Sequence, residues 1–132
     1  MTRVLDASAL MAYLEKESGY EKVKDVFTKA AESENPILMS VVNWGEVYYI
    51  LIKEHGNERA QEVISLIETF PLDIVSADKE ITKQAALYKA QKKLAYADSY
   101  AAALAKLRKG ELITADKEFK AVENEIKIVW VF

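Results

Sequence analysis

Four acidic residues lie in sequence contexts that favour burial. Asp6 closes an apolar stretch, Glu46 lies in SVVNWGEVYYIL, Asp98 lies in LAYADSYAAALA, and Asp116 follows the apolar LIT. Carboxylates that are brought together repel one another unless a cation lies between them, and oxygen-only ligands suit Mg²⁺ or Mn²⁺. The chain has no cysteine and one histidine, His55, so thiolate and imidazole ligand sets do not compete. The acids therefore indicate a divalent-cation site, provided that the fold brings them together.

Each acid also has a simpler structural interpretation. Asp6 and Asp116 could each be a helix N-cap, a common role for Asp after a strand. Glu46 could pair with a buried lysine or arginine, and Asp98 could stabilise the positive end of a helix. These roles account for the acids singly, and four semi-buried acids together favour a shared site.

Short apolar runs that alternate with amphipathic helices must position these side chains. The pattern predicts strands at 3–5, 37–39, 72–75, 111–114 and 126–131. It predicts helices at 8–16, 20–31, 41–54, 58–70, 78–91 and 96–107, with a short helix after Asp116. This alternation is typical of an α/β domain with a mainly parallel sheet covered on both faces. Ligands in such folds bind beyond the carboxyl ends of the strands, where Asp6, Ser40, Asp78 and Asp116 fall.

Length and composition favour one globular domain over residues 1–132. The hydrophobic share is 51% and the charged share 30%, and the absence of cysteine excludes disulfides. Neither a signal peptide nor an apolar run long enough to span a bilayer is visible, so we expect a cytoplasmic protein without a membrane partner.

Basic residues concentrate in the last third of the chain. Residues 89–132 hold 9 Lys/Arg against 6 Asp/Glu, whereas residues 1–88 hold 9 against 15. The basic excess is either a solvated helix face or a rim that binds a phosphate backbone beside the acidic site. For the second role the candidates are Lys89, Lys92, Lys93 and Lys117.

Taken together, four motifs resemble the PIN-domain family, and more narrowly the VapC-type toxins of toxin–antitoxin modules. The motifs are VLDASAL at 4–10, SVVNWGEV at 40–47, LAYADSYAAALA at 94–105 and LITADKEF at 112–119. The resemblance covers essentially the whole chain. It implies a five-stranded sheet of order 3-2-1-4-5 and a Mg²⁺- or Mn²⁺-dependent endoribonuclease restrained by a cognate antitoxin protein.

The resemblance also implies roles for individual residues. Asp6, Glu46, Asp98 and Asp116 match the four acidic positions of the family in order. Ser8, Asn43 and Thr114 match polar positions that support them. On this basis the cation is held mainly by Asp6 and Asp98, with Glu46 and Asp116 bound directly or through water. Water activated by the cation would hydrolyse RNA phosphodiester bonds.

Two segments of nearly identical sequence provide a check on this placement. VSADKE at 75–80 and ITADKE at 113–118 give Asp78 and Asp116 almost the same surroundings. The implied strand order puts the third strand at an edge and the fourth beside the first. We therefore expect Asp78 to be a plain helix cap and Asp116 to face the site.

Other functions and partners stay open at this point. A haloacid-dehalogenase-like phosphatase requires a second Asp two residues after the first, where this chain has Ser8. A receiver domain requires paired acids at the end of its first strand, where Asp6 has no acidic neighbour. A non-catalytic PIN-like module that binds RNA or protein is the main alternative. The apolar YYILI at 48–52 and residues 11–13 are explained by core packing, by an antitoxin helix in a groove of a hetero-oligomer, or by homodimerisation.

Overall fold

The computed structural model describes all residues, Met1–Phe132. Five strands alternate with six helices and one 3-10 helix. The strands are β1 (Arg3–Leu5), β2 (Ile37–Ser40), β3 (Leu72–Val75), β4 (Glu111–Thr114) and β5 (Lys127–Trp130). The helices are α1 (Ala7–Leu14), α2 (Tyr20–Ser33), α3 (Val41–His55), α4 (Asn57–Ile67), α5 (Lys79–Gln91) and α6 (Tyr96–Leu107), and the 3-10 helix is Lys117–Val122.

All five strands form one parallel sheet in the order β3-β2-β1-β4-β5. The predicted fold class and strand order are therefore confirmed. The central strand β1 lies between β2 and β4, with Val4 paired with Leu38 on one side and with Leu112 on the other. The carboxyl ends of β1 and β4 consequently lie side by side, and β3 lies at an edge.

Successive residues of the central strands point to opposite faces of the sheet and supply two cores. Val4 and Leu112 pack with α5, α6 and the 3-10 helix, whereas Leu5 and Ile113 pack with α1 to α4. All four side chains are fully buried. This two-sided burial is the reason that the strands read as continuous apolar runs rather than as alternating ones.

Several helices begin at a polar residue that ends a strand or closely follows one. Asp6 caps α1, Ser40 caps α3, and Asp78 caps α5, each accepting a hydrogen bond from a backbone N–H of the first turn. Asp116 caps the 3-10 helix in the same way. The caps keep polar groups at the carboxyl edge of the sheet, where the candidate site lies.

Helix ends differ from the predictions by a few residues. The predicted helix 58–70 ends at Ile67, because Thr69 and Phe70 donate to carbonyls three residues back in a tight turn before Pro71. The predicted helix 8–16 spans Ala7–Leu14, and Lys16 takes a left-handed backbone conformation with φ of 51°. These ends depend on local turn geometry, which apolar periodicity does not report.

The apolar segments at 11–13 and 48–52 differ in how far they are buried. Tyr13 packs against the rings of Tyr20, Phe27 and Phe70 and belongs to the α1–α2 side of the core. Tyr49 and Ile52 of α3 stay exposed at 52% and 38%. None of the helices combines the length and apolar character required to cross a bilayer.

Candidate functional site

Asp6 and Thr114 meet because β1 and β4 pair in register. Leu5 pairs with Ile113, and the Asp6 N–H donates to the Ile113 carbonyl at 3.3 Å. One residue further along, the Thr114 hydroxyl donates to Asp6 Oδ2 at 2.7 Å. Strand pairing therefore fixes both side chains at the carboxyl edge of the sheet.

Three donors surround the Asp6 carboxylate. Besides Thr114, the Ala9 N–H donates to Oδ1 at 2.9 Å, and the Ser8 hydroxyl lies 2.9 Å from both carboxylate oxygens. The same two hydroxyls also accept backbone N–H groups, Ser8 from Ala115 at 3.0 Å and Thr114 from Asp116 at 2.9 Å. The network ties Asp6 to the start of the segment that carries Asp116.

Burial dominates the protonation of Asp6. The side chain is almost fully buried, and this desolvation raises the pKa of Asp6 to about 6, although the bonds from Thr114, Ala9 and Ser8 lower it. The negative charge of Asp116 contributes to the same raised pKa. Asp6 is thus a carboxylate that the chain holds firmly and whose negative charge the chain does not neutralise.

Asn43 fixes the orientation of Glu46. Its fully buried side-chain amide donates to Glu46 Oε1 at 2.9 Å and to the Ala97 carbonyl at 3.1 Å. Both partners accept only, so the amide nitrogen must face them, and Asn43 Oδ1 is left without a hydrogen-bond partner. Asn43 therefore joins α3 to α6 and directs Glu46 towards the turn that carries Asp98.

Asp98 lies in the first turn of α6 and accepts no hydrogen bond from the chain. Burial, followed by negative charge on Asp116, Asp6, Glu46 and Glu118, raises the pKa of Asp98 to about 7. The other three predicted acids therefore all lie near enough to Asp98 to affect its pKa. Every charge that contributes to this shift is negative.

A cavity of about 510 Å³ opens above these acids at the carboxyl edge of the sheet. Ser8, Glu46, Asp98 and Asp116 line it, whereas Asp6 is buried and contacts the lining residue Ser8. The lining includes no lysine, arginine or histidine. A small cation is the species that this arrangement attracts most strongly.

The cavity is also lined by three acids that sequence reasoning missed, namely Glu15, Glu17 and Glu54. Spacing signals two of them, because Glu54 follows Glu46 by two helical turns and Glu15 follows Ser8 by seven residues. Glu15 and Glu54 also cluster with His55, their ligand atoms lying within 4.8 Å of one another. His55 is exposed and is the last residue of α3.

The four candidate lysines are not brought together. Lys117 follows Asp116 directly, and its ammonium lies 5.4 Å from the ring centre of Phe132, which lines the cavity. Lys92 instead pairs with Glu125 at 3.3 Å, and Glu125 also contacts Lys106 in the last turn of α6, away from Asp98. Lys89 donates to the Leu94 carbonyl at 3.1 Å, and Lys93 is exposed.

The two similar segments VSADKE and ITADKE take different positions in the fold, as expected. Asp78 is exposed, and its carboxylate accepts the Ile81 N–H at 2.9 Å as an N-cap of α5. Asp116 also caps, accepting the Glu118 N–H at 2.9 Å, and in addition lines the acidic cavity. The sheet order separates the pair, because β3 is an edge strand and β4 lies beside β1.

The donor set fits a hard divalent cation such as Mg²⁺ or Mn²⁺. The groups offered are carboxylate oxygens, with hydroxyl oxygens behind them and no sulfur or imidazole among the four predicted acids and their supports. The raised pKa values of Asp6 and Asp98 reflect burial and mutual repulsion of negative charge, and such a cation would relieve the repulsion.

Comparison with solved structures identifies the same fold in bacterial toxin–antitoxin proteins. The DNA-bound VapBC complex from Salmonella typhimurium gives a TM-score of 0.79 at 16% identity, covering 100% of this chain and 99% of that chain. VapBC2 from Rickettsia felis, bound to a promoter DNA fragment, gives 0.78 at 18% identity and covers 98% of both chains. VapC20 from Mycobacterium tuberculosis, a sarcin-ricin loop cleaving toxin, gives 0.71 at 14% identity over 92% of this chain and 95% of that chain.

Sequence comparison gives the family directly. No curated protein sequence matches the chain significantly. The family profile described as PIN domain matches residues 3–125, which is most of the chain and includes all four acids of the site. The chain belongs to the PIN-domain family.

Proposed function

We propose that this protein is a divalent-metal-dependent endoribonuclease and the toxin component of a toxin–antitoxin pair. The observation that carries the nuclease assignment is the convergence of Glu46, Asp98 and Asp116 on one cavity above buried Asp6, with no basic side chain in the lining. Purely structural acids would be expected to have cationic partners nearby, because uncompensated burial of carboxylates is destabilising.

Asp6 and Asp98 are the residues proposed to hold Mg²⁺ or Mn²⁺, with Glu46 and Asp116 acting directly or through water. The chemistry that such a cation supplies when bound is ionisation of water near neutral pH and neutralisation of charge on a phosphate. The chain's own contribution is positional. Thr114 and Ser8 orient Asp6, and Asn43 orients Glu46.

The neighbouring hydroxyls and acids also limit what else the site does. Hydrogen bonds from Ser8, Thr114 and Ala9 hold the Asp6 carboxylate in one orientation, which suits a fixed ligand of the cation. His55, the single histidine, is not among the residues that line the cavity. Hydrolysis at this site therefore relies on activated water rather than on an imidazole base.

The toxin assignment rests on the fold shared with VapBC complexes over nearly the whole of each chain. By this analogy the cellular partner is a cognate antitoxin protein, in a hetero-oligomer or with a toxin homodimer. Exposed Tyr49 and Ile52 on α3 offer apolar surface for such contacts. Cytoplasmic location follows as part of the same proposal, since RNA is the substrate.

The nuclease proposal is tested by incubating purified protein with a pool of structured RNAs in Mg²⁺, in Mn²⁺ and in EDTA. We expect cleavage that requires the metal and disappears in Asp98→Asn, while the exposed control Asp73→Asn cleaves normally. Cleavage at full rate in EDTA, or full activity of Asp98→Asn, would contradict the proposal.

The toxin proposal has a separate readout in cells. Induced expression of the wild-type chain should arrest growth, and Asp98→Asn should not. Arrest that persists in Asp98→Asn at equal protein level would show that toxicity does not arise from the acidic site.

A further inference from the structure

Phe132 is an aromatic residue at the edge of the acidic cavity that the proposed chemistry does not use. Its ring lines the cavity together with Ala115 and Asp116, yet 48% of the residue stays exposed. Nearly half of this aromatic residue therefore remains accessible beside the acidic cavity.

The chain holds Phe132 in place through the backbone that precedes it. The Val131 N–H donates to the Thr114 carbonyl at 3.0 Å, and the Val131 side chain is fully buried. Thr114 is also the residue whose hydroxyl donates to Asp6. Phe132 is therefore tied to the same strand end that positions the carboxylates.

Gly19 completes this support from the opposite side. A Cβ atom at Gly19 would lie 1.5 Å from the Val131 carbonyl oxygen, and Gly19 takes a φ of 96°. Only glycine allows this approach and this backbone conformation together. The segment that carries Phe132 is thus packed against the start of α2.

Two further side chains surround the Phe132 ring. Trp130 makes an edge contact with a centroid separation of 5.6 Å, and the Lys117 ammonium lies 5.4 Å from the ring centre. Lys117 is itself exposed and directly follows Asp116. An aromatic side chain that lines the cavity therefore has an ammonium group beside it, whereas the charged residues of the lining itself are all acids.

We propose that Phe132 and Lys117 form a nucleotide-binding subsite, in which the Phe132 ring stacks on an unpaired RNA base and Lys117 contacts the neighbouring phosphate. Stacking on exposed aromatic rings is a principal means of recognising single-stranded RNA, and a nearby ammonium offsets phosphate charge. The inference rests on the proposed function and assigns one side of the cavity to the RNA substrate. A protein partner would be the alternative occupant.

Binding is measured by fluorescence anisotropy of a labelled single-stranded RNA in an Asp98→Asn background, where cleavage is absent. We expect Phe132→Ala to weaken RNA binding about tenfold or more, and Phe132→Trp to retain affinity within about threefold. Leu87→Ala is the matched control, because Leu87 is equally exposed at 49% and lies on α5 outside the cavity lining. That variant should bind as the parent does.

Salt dependence separates the two members of the subsite. Lys117→Gln should reduce the slope of log affinity against log salt by about one, whereas Phe132→Ala should leave the slope unchanged. Replacing single nucleotides of the RNA by abasic ones should locate one position at which the loss does not add to that of Phe132→Ala. Equal loss in Phe132→Ala and Phe132→Trp would overturn stacking.

Failure of this inference is distinguishable from failure of the nuclease proposal. Normal metal-dependent cleavage with an unchanged KM in Phe132→Ala would overturn the subsite and leave the nuclease intact. Weaker RNA binding by Phe132→Ala, in a protein that never cleaves RNA, would support the subsite and reject the nuclease. Unchanged RNA affinity in Phe132→Ala with loss of antitoxin binding would overturn the subsite in favour of a protein contact.

Discussion

The Thr114 hydroxyl donates a hydrogen bond to Asp6 Oδ2 at 2.7 Å, and the Thr114 hydroxyl oxygen accepts one from the Asp116 N–H at 2.9 Å. One side chain on β4 therefore positions two of the four acids. The pairing of Leu5 with Ile113 places Asp6 and Thr114 next to each other, so the contact is a direct product of the parallel sheet.

Removal of the Thr114 hydroxyl should weaken both the fold and the site. Thr114→Val keeps the side-chain shape but leaves buried Asp6 with one donor fewer and the Asp116 N–H without its acceptor. We expect about 1–3 kcal/mol of lost stability in urea unfolding. Thr114→Ser restores the hydroxyl and should recover most of the loss, and equal stability of Thr114→Val and wild type would contradict the role.

Thr114→Val should also change the pH dependence of activity. The bond from Thr114 lowers the pKa of Asp6, so its loss raises that pKa above about 6. Asp6 is then protonated over a wider range, and cleavage should fall more at pH 6 than at pH 8. A parallel loss at both pH values would show that Thr114 acts on the fold alone.

Metal-free protein should lose stability as the pH rises through the range in which Asp98 ionises. The pKa of Asp98 is raised from 3.8 to about 7, so between these values the folded state binds more protons than the unfolded state. The free energy of unfolding therefore decreases as pH increases across this window, and the stability present at low pH is lost. Because Asp98 is only partly buried, we expect an effect of about 1 kcal/mol after solvent screening.

Asp98→Asn isolates that effect, since Asp98 accepts no hydrogen bond that the amide would lose. In EDTA its Tm should exceed that of wild type at pH 8 and match it more closely at pH 5. Asp73→Asn removes an exposed charge on β3 and should show no such pH-dependent gap. A lower Tm of Asp98→Asn at pH 8 would indicate a structural role for Asp98.

Asn43→Asp should disrupt the connection between α3 and α6. Its carboxylate has no proton to donate to Glu46 Oε1 or to the Ala97 carbonyl, and it adds a buried negative charge beside Glu46. We expect at least about 2 kcal/mol of lost stability together with weak cleavage below the transition temperature. Asn124→Asp introduces the same change at an exposed position and should behave as wild type.

Asp78 and Asp116 lie in nearly identical segments, so the same substitution at each tests whether position in the fold, rather than local sequence, decides the role. Asp116→Asn should reduce cleavage by roughly 10- to 100-fold, because it removes a charge from the cavity lining. Asp78→Asn keeps a good N-cap on α5 and should cleave normally. A dead Asp78→Asn enzyme of normal stability would mean that the site extends beyond the residues assigned to it.

The sequence predicted the fold class because its signals were periodic and local. Buried parallel strands read as short apolar runs, and the caps after β1, β2 and β4 are marked by Asp6, Ser40 and Asp116. Strand order came from the family resemblance, since parallel pairing partners leave no mark in the local sequence.

Other features were beyond sequence reasoning because they depend on distant segments. The lysines were grouped by position in the chain, but Glu125 draws Lys92 towards Lys106 and away from the cavity. Phe132 belongs to no sequence motif, and its position depends on the contacts that the preceding Val131 makes with Gly19 and Thr114. Contacts of this kind follow from the assembled fold.

Calorimetric titration with Mn²⁺ tests the central claim, that the acidic cavity is a divalent-cation site, most directly. At pH 6.5 we expect the wild-type protein and Asp73→Asn to bind Mn²⁺ and to release protons, because the pKa values of Asp6 and Asp98 are raised to about 6 and about 7. Asp98→Asn should bind at least about tenfold more weakly and release fewer protons. Binding of equal strength and equal proton release in Asp98→Asn, or no binding by the wild type, would contradict the account.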